Sequence, residues 1–206
     1  MGVSLKQFAE MQARVSGRCP PGRAKAGNDG SVAMVASTVS GAVLLGLDPS
    51  LRGTGFGVVR VARQGCTWMA HGVVRCDRGW KRSRCLAKIH EEISSAIRAH
   101  HPTVCVVEGL YFAQNHQTTL IMGEARGASL AAAACAGLEI FEIAPRRLKQ
   151  AIVGYGAAGK PAVARMVQRM LALAEPPESD AADALALALV FAQEQRRHGL
   201  APPKNL

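Results

Sequence analysis

Apolar and polar positions alternate along the chain in a way that predicts a succession of strands and helices. Short apolar runs bounded by Gly, Pro or polar residues predict five strands, at residues 43–47, 55–62, 67–75, 103–107 and 139–143. Apolar residues spaced for one helix face, or helical runs rich in Ala and Leu, predict helices around 86–100 and over 114–136, 145–153, 160–174 and 180–197. Three consecutive strands followed by alternating strands and helices predict an α/β domain, with a mixed sheet flanked by helices.

The two ends of the chain differ in composition from the region between them. Residues 1–40 carry Gly, Ser, Pro, Lys and Arg, with only Glu10 and Asp29 as acids. This composition predicts a disordered basic N-terminal extension, a folded domain over 41–198 and a flexible tail over 199–206. An organelle-targeting presequence and a start codon assigned too early both stay open as explanations of residues 1–40.

Charge and cysteine usage narrow the class of protein. The 206 residues carry a formal net charge of +10, which favours a polyanionic partner, nucleic acid before an anionic membrane. A merely soluble basic protein is the alternative. The six cysteines form no C-x-x-C pair and have no histidine at zinc-site spacing, so we expect a reducing compartment without a disulfide framework. No apolar stretch is long enough to predict a membrane span.

Carboxylates stand where predicted strands end and where the last helix begins. The first strand runs into Asp48 and the fourth into Glu108. The last helix opens with Asp180 and Asp183, three residues apart and so on one face. A helix cap accounts for Asp180 but poorly for Asp183, which sits among Ala and Leu. Because an unpaired buried charge is costly, these acids indicate a cation site.

The four acids lie at positions where open α/β sheets present ligand sites. Carboxylates that converge must bind cations or share protons. Oxygen ligands suit Mg²⁺ or Mn²⁺, and a pair of such ions can promote phosphodiester hydrolysis. A basic chain with an acidic metal pocket therefore fits a nuclease.

Small residues mark two places where close packing is expected. Gly53, Gly55 and Gly57 follow Asp48 at short intervals, which indicates a close neighbour of the second strand. The 114–136 helix carries a further set, namely Thr118, Gly123, Gly127 and residues 131–134. That set is a candidate subunit interface, although packing of the helix on the sheet accounts for it equally well.

Five ordered blocks of sequence resemble the RuvC family of bacterial Holliday junction resolvases. They are Gly-Leu-Asp-Pro-Ser with Thr-Gly-Phe-Gly over 46–57, Val-Val-Glu with Tyr and Asn over 106–115, Gly-Glu-Ala-Arg-Gly over 123–127, the block over 145–156, and Ser-Asp-Ala-Ala-Asp-Ala-Leu-Ala over 179–186. Lys160 and Met166-Val167 fall between the last two blocks. The resemblance covers roughly residues 43–195 and implies an RNase H-like fold with a five-stranded mixed sheet.

The resemblance also implies roles for individual residues. The catalytic, metal-binding acids of the family fall on Asp48, Glu108, Asp180 and Asp183, with two Mg²⁺ ions per subunit and Mn²⁺ as a substitute. The DNA-binding positions are Tyr111, Arg146, Lys149 and Lys160. Tyr111 would stack on an unpaired base, as aromatic platforms do, while each of these residues could instead be an ordinary surface side chain.

The activity that the resemblance implies is Mg²⁺-dependent cleavage of four-way junction DNA during recombination and repair. A homodimer would make paired symmetric nicks in two strands of like polarity, with water as nucleophile, leaving 5′-phosphate and 3′-hydroxyl ends. A RuvA/RuvB-type branch-migration complex is the implied partner. The bacterial cytoplasm is the implied location.

Three departures from the family pattern and three rival functions stay open. Ser50 replaces a common glycine. Gln114 and Ile121 replace lysines found in many members, and this loss of positive charge bears on the affinity for DNA.

A nuclease for RNA–DNA hybrids would carry the same four acids. An actin-like sugar kinase has a similar opening loop but needs about twice this length. A junction-binding protein without activity is expected to have lost an acid, and all four are present.

Overall fold

The computed structural model describes residues 41–109, 116–154, 159–196 and 204–206, which form a mixed sheet with helices on both faces. All of them belong to the second of the two units into which the chain divides, Met1–Met34 and Val35–Leu206. The predicted extension over 1–40 and residues 199–203 of the predicted tail lie outside the described residues.

The sheet has the order β3-β2-β1-β4-β5-β6. The first three strands are antiparallel, β4 and β5 run parallel to β1, and β6 is antiparallel to β5. This arrangement confirms the predicted five-stranded mixed sheet and adds a sixth, two-residue strand at its edge. The strands are β1 (Val43–Asp48), β2 (Gly53–Val61), β3 (Cys66–Arg75), β4 (Val104–Glu108), β5 (Glu139–Ile143) and β6 (Lys204–Asn205).

Five helices follow the predicted order within the described residues. They are α1 (Arg82–His100), α2 (His116–Cys135), α3 (Pro145–Val153), α4 (Lys160–Leu171) and α5 (Ser179–Arg196). The helix α4 ends before the predicted residue 174 because Ala172 adopts a left-handed conformation, with φ of 51°, and closes the last turn. None of the described helices is both long and apolar enough to cross a membrane.

Two apolar cores lie on opposite faces of the sheet. Alternate strand residues serve each face, so Leu45 packs towards α1 and α2 while Leu44 packs towards α3, α4 and α5. The body of α5 is buried on nearly every side, which accounts for a sequence that is apolar all round.

Glycines let α5 lie directly on the backbone of β1 and β2. A Cβ atom at Gly46 would collide with the carbonyl oxygen of Ala184, and one at Gly55 with the carbonyl oxygen of Asp180. The close neighbour expected of the second strand is therefore the last helix. Its first turn is held against the sheet edge where β1 ends.

Arginines hold the segment containing α5 at both ends. Arg75, at the end of β3, forms an ion pair with Glu178, immediately before the helix. The guanidinium of Arg196, the last residue of the helix, donates hydrogen bonds to the carbonyl oxygens of Ala62 and Gly65. These two carbonyls belong to the turn between β2 and β3, so both ends of the helix are tied to the antiparallel part of the sheet.

Candidate active site

A cavity of about 360 Å³ opens at the edge of the sheet where β1 and β4 end. All four predicted acids line it, together with Arg126 and Lys149. Because β1 and β4 are parallel neighbours, with Leu47 opposite Val107, their terminal acids Asp48 and Glu108 emerge at the same edge.

The helix α5 supplies the other two carboxylates. It begins at Ser179, so Asp180 lies within its first turn and not outside it as a cap. The backbone carbonyl of Glu178 accepts the hydrogen bond from the Ala182 amide at 2.7 Å. Asp180 and Asp183 are half-buried at the cavity, whereas the alanines at 181, 182 and 184 are buried. The close approach of α5 to the glycines of β1 and β2 therefore places two acids of the helix beside two acids of the sheet.

The crowding of carboxylates changes the protonation of Asp48. Burial, and then the negative charges of Glu108 and Asp183, raise the pKa of the Asp48 carboxyl from 3.8 to about 8. A hydrogen bond between Asp48 and Glu108 acts in the same direction. In the absence of a cation the folded protein therefore retains a proton on Asp48 near neutral pH, and a bound cation would favour its release.

The donor set of the cavity fits a hard divalent cation. The acidic groups in the lining are the four carboxylates, and neither His nor Cys is among the lining residues. No three His, Cys, Asp or Glu side chains within the described ranges converge tightly enough to enclose an ion. The fit therefore rests on the type of donor, since carboxylate oxygens are the protein ligands that Mg²⁺ prefers and water supplies the rest of its coordination.

A buried arginine that the sequence analysis did not single out supports the end of β4. The side chain of Arg126 is only 8% exposed and donates hydrogen bonds to the backbone carbonyl of Glu108 and to the Glu142 carboxylate, the latter at 2.5 Å. Burial lowers the pKa of the guanidinium, and the charge of Glu142 opposes this effect. The sequence did offer a signal for this role, namely an arginine between the small residues of the block 123–127. Such a position predicts burial, and a buried guanidinium requires hydrogen-bond partners.

The predicted DNA-binding residues fall in different environments. Lys149, on α3, is half-buried and lines the cavity with the acids. Arg146 is exposed and is not part of the cavity lining. Lys160 begins α4, but its side chain lies outside the described part of the structure, as does the whole of Tyr111. The DNA contacts of these four residues stay predictions.

Comparisons of sequence agree with the implied family. The family model described as crossover junction endodeoxyribonuclease RuvC matches residues 44–191. The crossover junction endodeoxyribonuclease RuvC of Pseudomonas entomophila is 43% identical over 166 residues, which cover 79% of this chain and 95% of that protein. The corresponding protein of Ectopseudomonas mendocina is 42% identical with the same coverage.

Comparisons of structure agree as well. Thermus thermophilus RuvC, solved in complex with a Holliday junction substrate, superimposes with a TM-score of 0.73 and 32% identity over 80% of this chain and 99% of that chain. The yeast mitochondrial Holliday junction resolvase Ydc2 shares the fold, with a TM-score of 0.58 at 12% identity over 93% of this chain and 95% of that one. These matches confirm the predicted RNase H-like fold. Since the family model spans most of the chain and relatives above 40% identity align along nearly their whole length, the chain belongs to the RuvC family of crossover junction endodeoxyribonucleases.

Proposed function

We propose that the chain is a structure-selective endodeoxyribonuclease that resolves four-way junctions by paired symmetric nicks, in recombination and DNA repair. The observation that carries the proposal is the meeting of four carboxylates at one cavity of a strongly basic chain. A relative of the same family was solved with a Holliday junction substrate. The basic surface attracts the polyanion, and the acidic cavity holds the cations that its phosphates require.

Each cavity residue has a part in this proposal. Two Mg²⁺ ions per subunit, replaceable by Mn²⁺, would supply activation of a water molecule and stabilisation of the leaving oxygen. Asp48 is close enough to Glu108 and Asp183 for their negative charges to raise its pKa, so it would be the carboxylate best placed to serve both ions. Lys149 would position a phosphate of the scissile strand, and Arg126 keeps the end of β4 in place. Hydrolysis would leave 5′-phosphate and 3′-hydroxyl ends.

The proposal is tested by offering the purified protein a synthetic mobile four-way junction with Mg²⁺, beside a linear duplex and an RNA–DNA hybrid. Paired nicks at symmetric positions of the junction alone would support it. Cleavage of the hybrid would place the chain among hybrid-specific nucleases instead. Binding of the junction without cleavage in both Mg²⁺ and Mn²⁺ would show that the four acids do not form a working site.

A divalent cation is expected to stabilise the folded protein. Each Mg²⁺ ion that binds at 100 times its Kd should raise the free energy of unfolding by about 2.7 kcal/mol. Without metal, the raised pKa of Asp48 means that the folded state binds more protons than the unfolded state between about pH 4 and 8. The free energy of unfolding should therefore fall as the pH rises through this window, and Mg²⁺ should reverse part of that fall. Thermal unfolding with EDTA or Mg²⁺ measures both effects.

The control for this measurement is Asp48→Asn, which removes the titrating group. Its metal-free unfolding should depend less on pH, and Mg²⁺ should stabilise it less than the wild type. Equal stabilisation of both proteins by Mg²⁺ would contradict the assignment of Asp48 as a ligand.

The proposed homodimer would use the side of α2 that carries Gly123 and Gly127, called here the small-residue face. Ala132 and Ala133, from the same set of small residues, are instead buried in the core. Packing on the sheet does not require its glycines, because a Cβ atom at Gly123 or Gly127 would meet no described atom within 4 Å. Leu120, on the same helix, is 66% exposed. Two simultaneous cuts also require two sites related by a two-fold axis. These observations support the small-residue face as the contact between subunits.

Gly127→Arg is expected to convert the dimer to a monomer while the subunit stays folded. The site is open, and arginine favours a helix over glycine by roughly 0.8–1 kcal/mol. Light scattering measures the change in mass, and circular dichroism checks the fold. Gln150→Arg, on the exposed side of α3, is the matched control and should stay dimeric. A dimeric Gly127→Arg protein would contradict this interface.

Two further assignments rest on the family alone, and a third rests on composition. We propose a RuvA/RuvB-type branch-migration complex as the partner and the bacterial cytoplasm as the location. Residues 1–40 are proposed to be a basic extension outside the nuclease domain of residues 41–198.

A further inference from the structure

A cluster of positive charge covers the loop between β3 and α1 and the first two turns of α1, outside the catalytic cavity. The basic ridge consists of Trp80 and the surrounding cations Arg78, Lys81, Arg84 and Lys88. Residues 78–90 contain no Asp or Glu, and the first turn of α1 contains no acid. Arg82, within the same segment, forms an ion pair with Glu124 at 2.9 Å and is not counted in the ridge. Asp77 precedes this segment, and Glu91 and Glu92 follow it on the helix. The cations still outnumber these acids, and the resulting excess of positive charge favours an anionic partner.

The loop between β3 and α1, which carries Arg78, Trp80 and Lys81, is held in a defined conformation. The guanidinium of Arg52 donates hydrogen bonds to the backbone carbonyls of Asp77 and Trp80, the latter at 3.3 Å. The Asp77 carboxylate accepts a hydrogen bond of 2.7 Å from the Gly79 amide. A loop braced in this way presents its cations with less loss of freedom on binding than a mobile one.

Trp80 orients two of the ridge cations. The guanidinium carbon of Arg84 lies 3.7 Å from the centre of the indole ring, and the Lys88 ammonium lies 5.4 Å from it. Stacking on the ring fixes the plane of the guanidinium while its N–H groups at the edge stay able to bind oxygen. Planar donors at fixed positions match the geometry of phosphate oxygens.

The ridge is connected to both segments that supply catalytic acids. Arg52 belongs to the loop that follows Asp48. Lys88 donates a hydrogen bond of 2.9 Å to the carbonyl of Arg75, whose side chain pairs with Glu178 just before α5. Ser50 of the same loop lines the cavity, so the ridge lies close to the cavity, where a duplex whose strand enters the cavity could reach it.

We propose that the basic ridge binds the sugar–phosphate backbone of a duplex arm of the junction, independently of its base sequence. The proposal rests on the proposed function, because it takes the DNA of that reaction as the ligand. Binding to the backbone positions a duplex without reading its sequence.

The test compares the salt dependence of junction binding in two variants that each remove two positive charges. In Arg78→Gln/Arg84→Gln the slope of log K against log salt should become shallower by about 0.9 for each phosphate that the protein no longer neutralises. Arg60→Gln/Arg63→Gln is the matched control. Its arginines are exposed at the far end of β2, whose nine residues span roughly 27 Å. Binding is measured in EDTA, so that no cleavage occurs and no divalent ion competes.

A shallower slope in the ridge variant, with the control close to wild type, is the expected result. If the slope changed equally in both variants, the change would be due to net charge alone and the proposal would be overturned. An unchanged slope in both variants would overturn it as well. Absence of junction cleavage by the wild type would instead overturn the proposed function, whatever the slopes are.

Discussion

An Asp48→Asn protein is expected to lose junction cleavage and to bind the junction at least as tightly as the wild type. The substitution keeps the size of the side chain but removes the carboxylate whose pKa is raised by burial and by the charges of Glu108 and Asp183. Loss of a ligand shared by two ions should lower the rate by more than the roughly 10²–10³-fold that removal of one catalytic hydrogen-bond donor costs. Binding should be retained because the raised pKa of Asp48 already reduces the negative charge of this side chain in the metal-free protein, so the substitution adds no repulsion towards the DNA phosphates. Single-turnover cleavage and gel-shift titration of the same junction measure the two quantities.

Glu175→Gln provides the control for charge. Glu175 is exposed and does not line the cavity, so removal of its negative charge should leave cleavage near the wild-type rate. Equal losses of binding and cleavage in Asp48→Asn, with a lower melting temperature, would show that Asp48 maintains the fold and not the chemistry.

Gly46→Ala is expected to destabilise the protein more than most single methyl additions. Insertion of extra atoms into a packed interior commonly costs about 1–3 kcal/mol. Here the new methyl would meet the backbone carbonyl of Ala184, which cannot rotate away as a side chain could. We therefore expect a loss at or above the upper end of that range, measured by chemical denaturation at equilibrium.

Gly53→Ala is the matched substitution with a different expected result. Its Cβ atom would lie 2.9 Å from Oδ2 of Asp180, the mobile end of a side chain, so the fold should tolerate it. Displacement of that carboxylate should lower cleavage instead, by up to about 10²-fold for a shift near 1 Å. A Gly46→Ala protein as stable as the wild type would contradict the close packing of α5 on β1.

The sequence contains enough information to predict the main sheet and the clustering of the four acids at one edge of it. The strand patterns are short but clearly bounded, and the predicted bounds of β5 are those that the structure shows. Asp48 and Glu108 can be expected at one edge because parallel strands end together. The glycines after Asp48 predict a close neighbour but cannot identify it, because helix packing depends on residues distant along the chain.

Other features could not be predicted from local patterns. The strand β6 consists of Lys204 and Asn205, whose residue types do not favour a strand, and it forms by pairing with β5. The role of Arg126 depends on its burial beside Glu108 and Glu142, which are 18 and 16 residues away in sequence. The raised pKa of Asp48 likewise arises from neighbours on other elements.

The α5 segment is attached at both of its ends. It therefore keeps a constant distance between the edge of the sheet that carries the acids and the opposite end of the sheet. Its 18 residues span roughly 27 Å. A slip by a single residue along the helix axis would move Asp180 and Asp183 by about 1.5 Å, enough to misalign a reacting phosphate. The ion pair before the helix and the Arg196 hydrogen bonds to Ala62 and Gly65 oppose such a slip from its two ends. The spacing between helix acids and strand acids is therefore set mainly by the close packing of α5 on the glycines of β1 and β2, and these exposed contacts add a small resistance to sliding at each end.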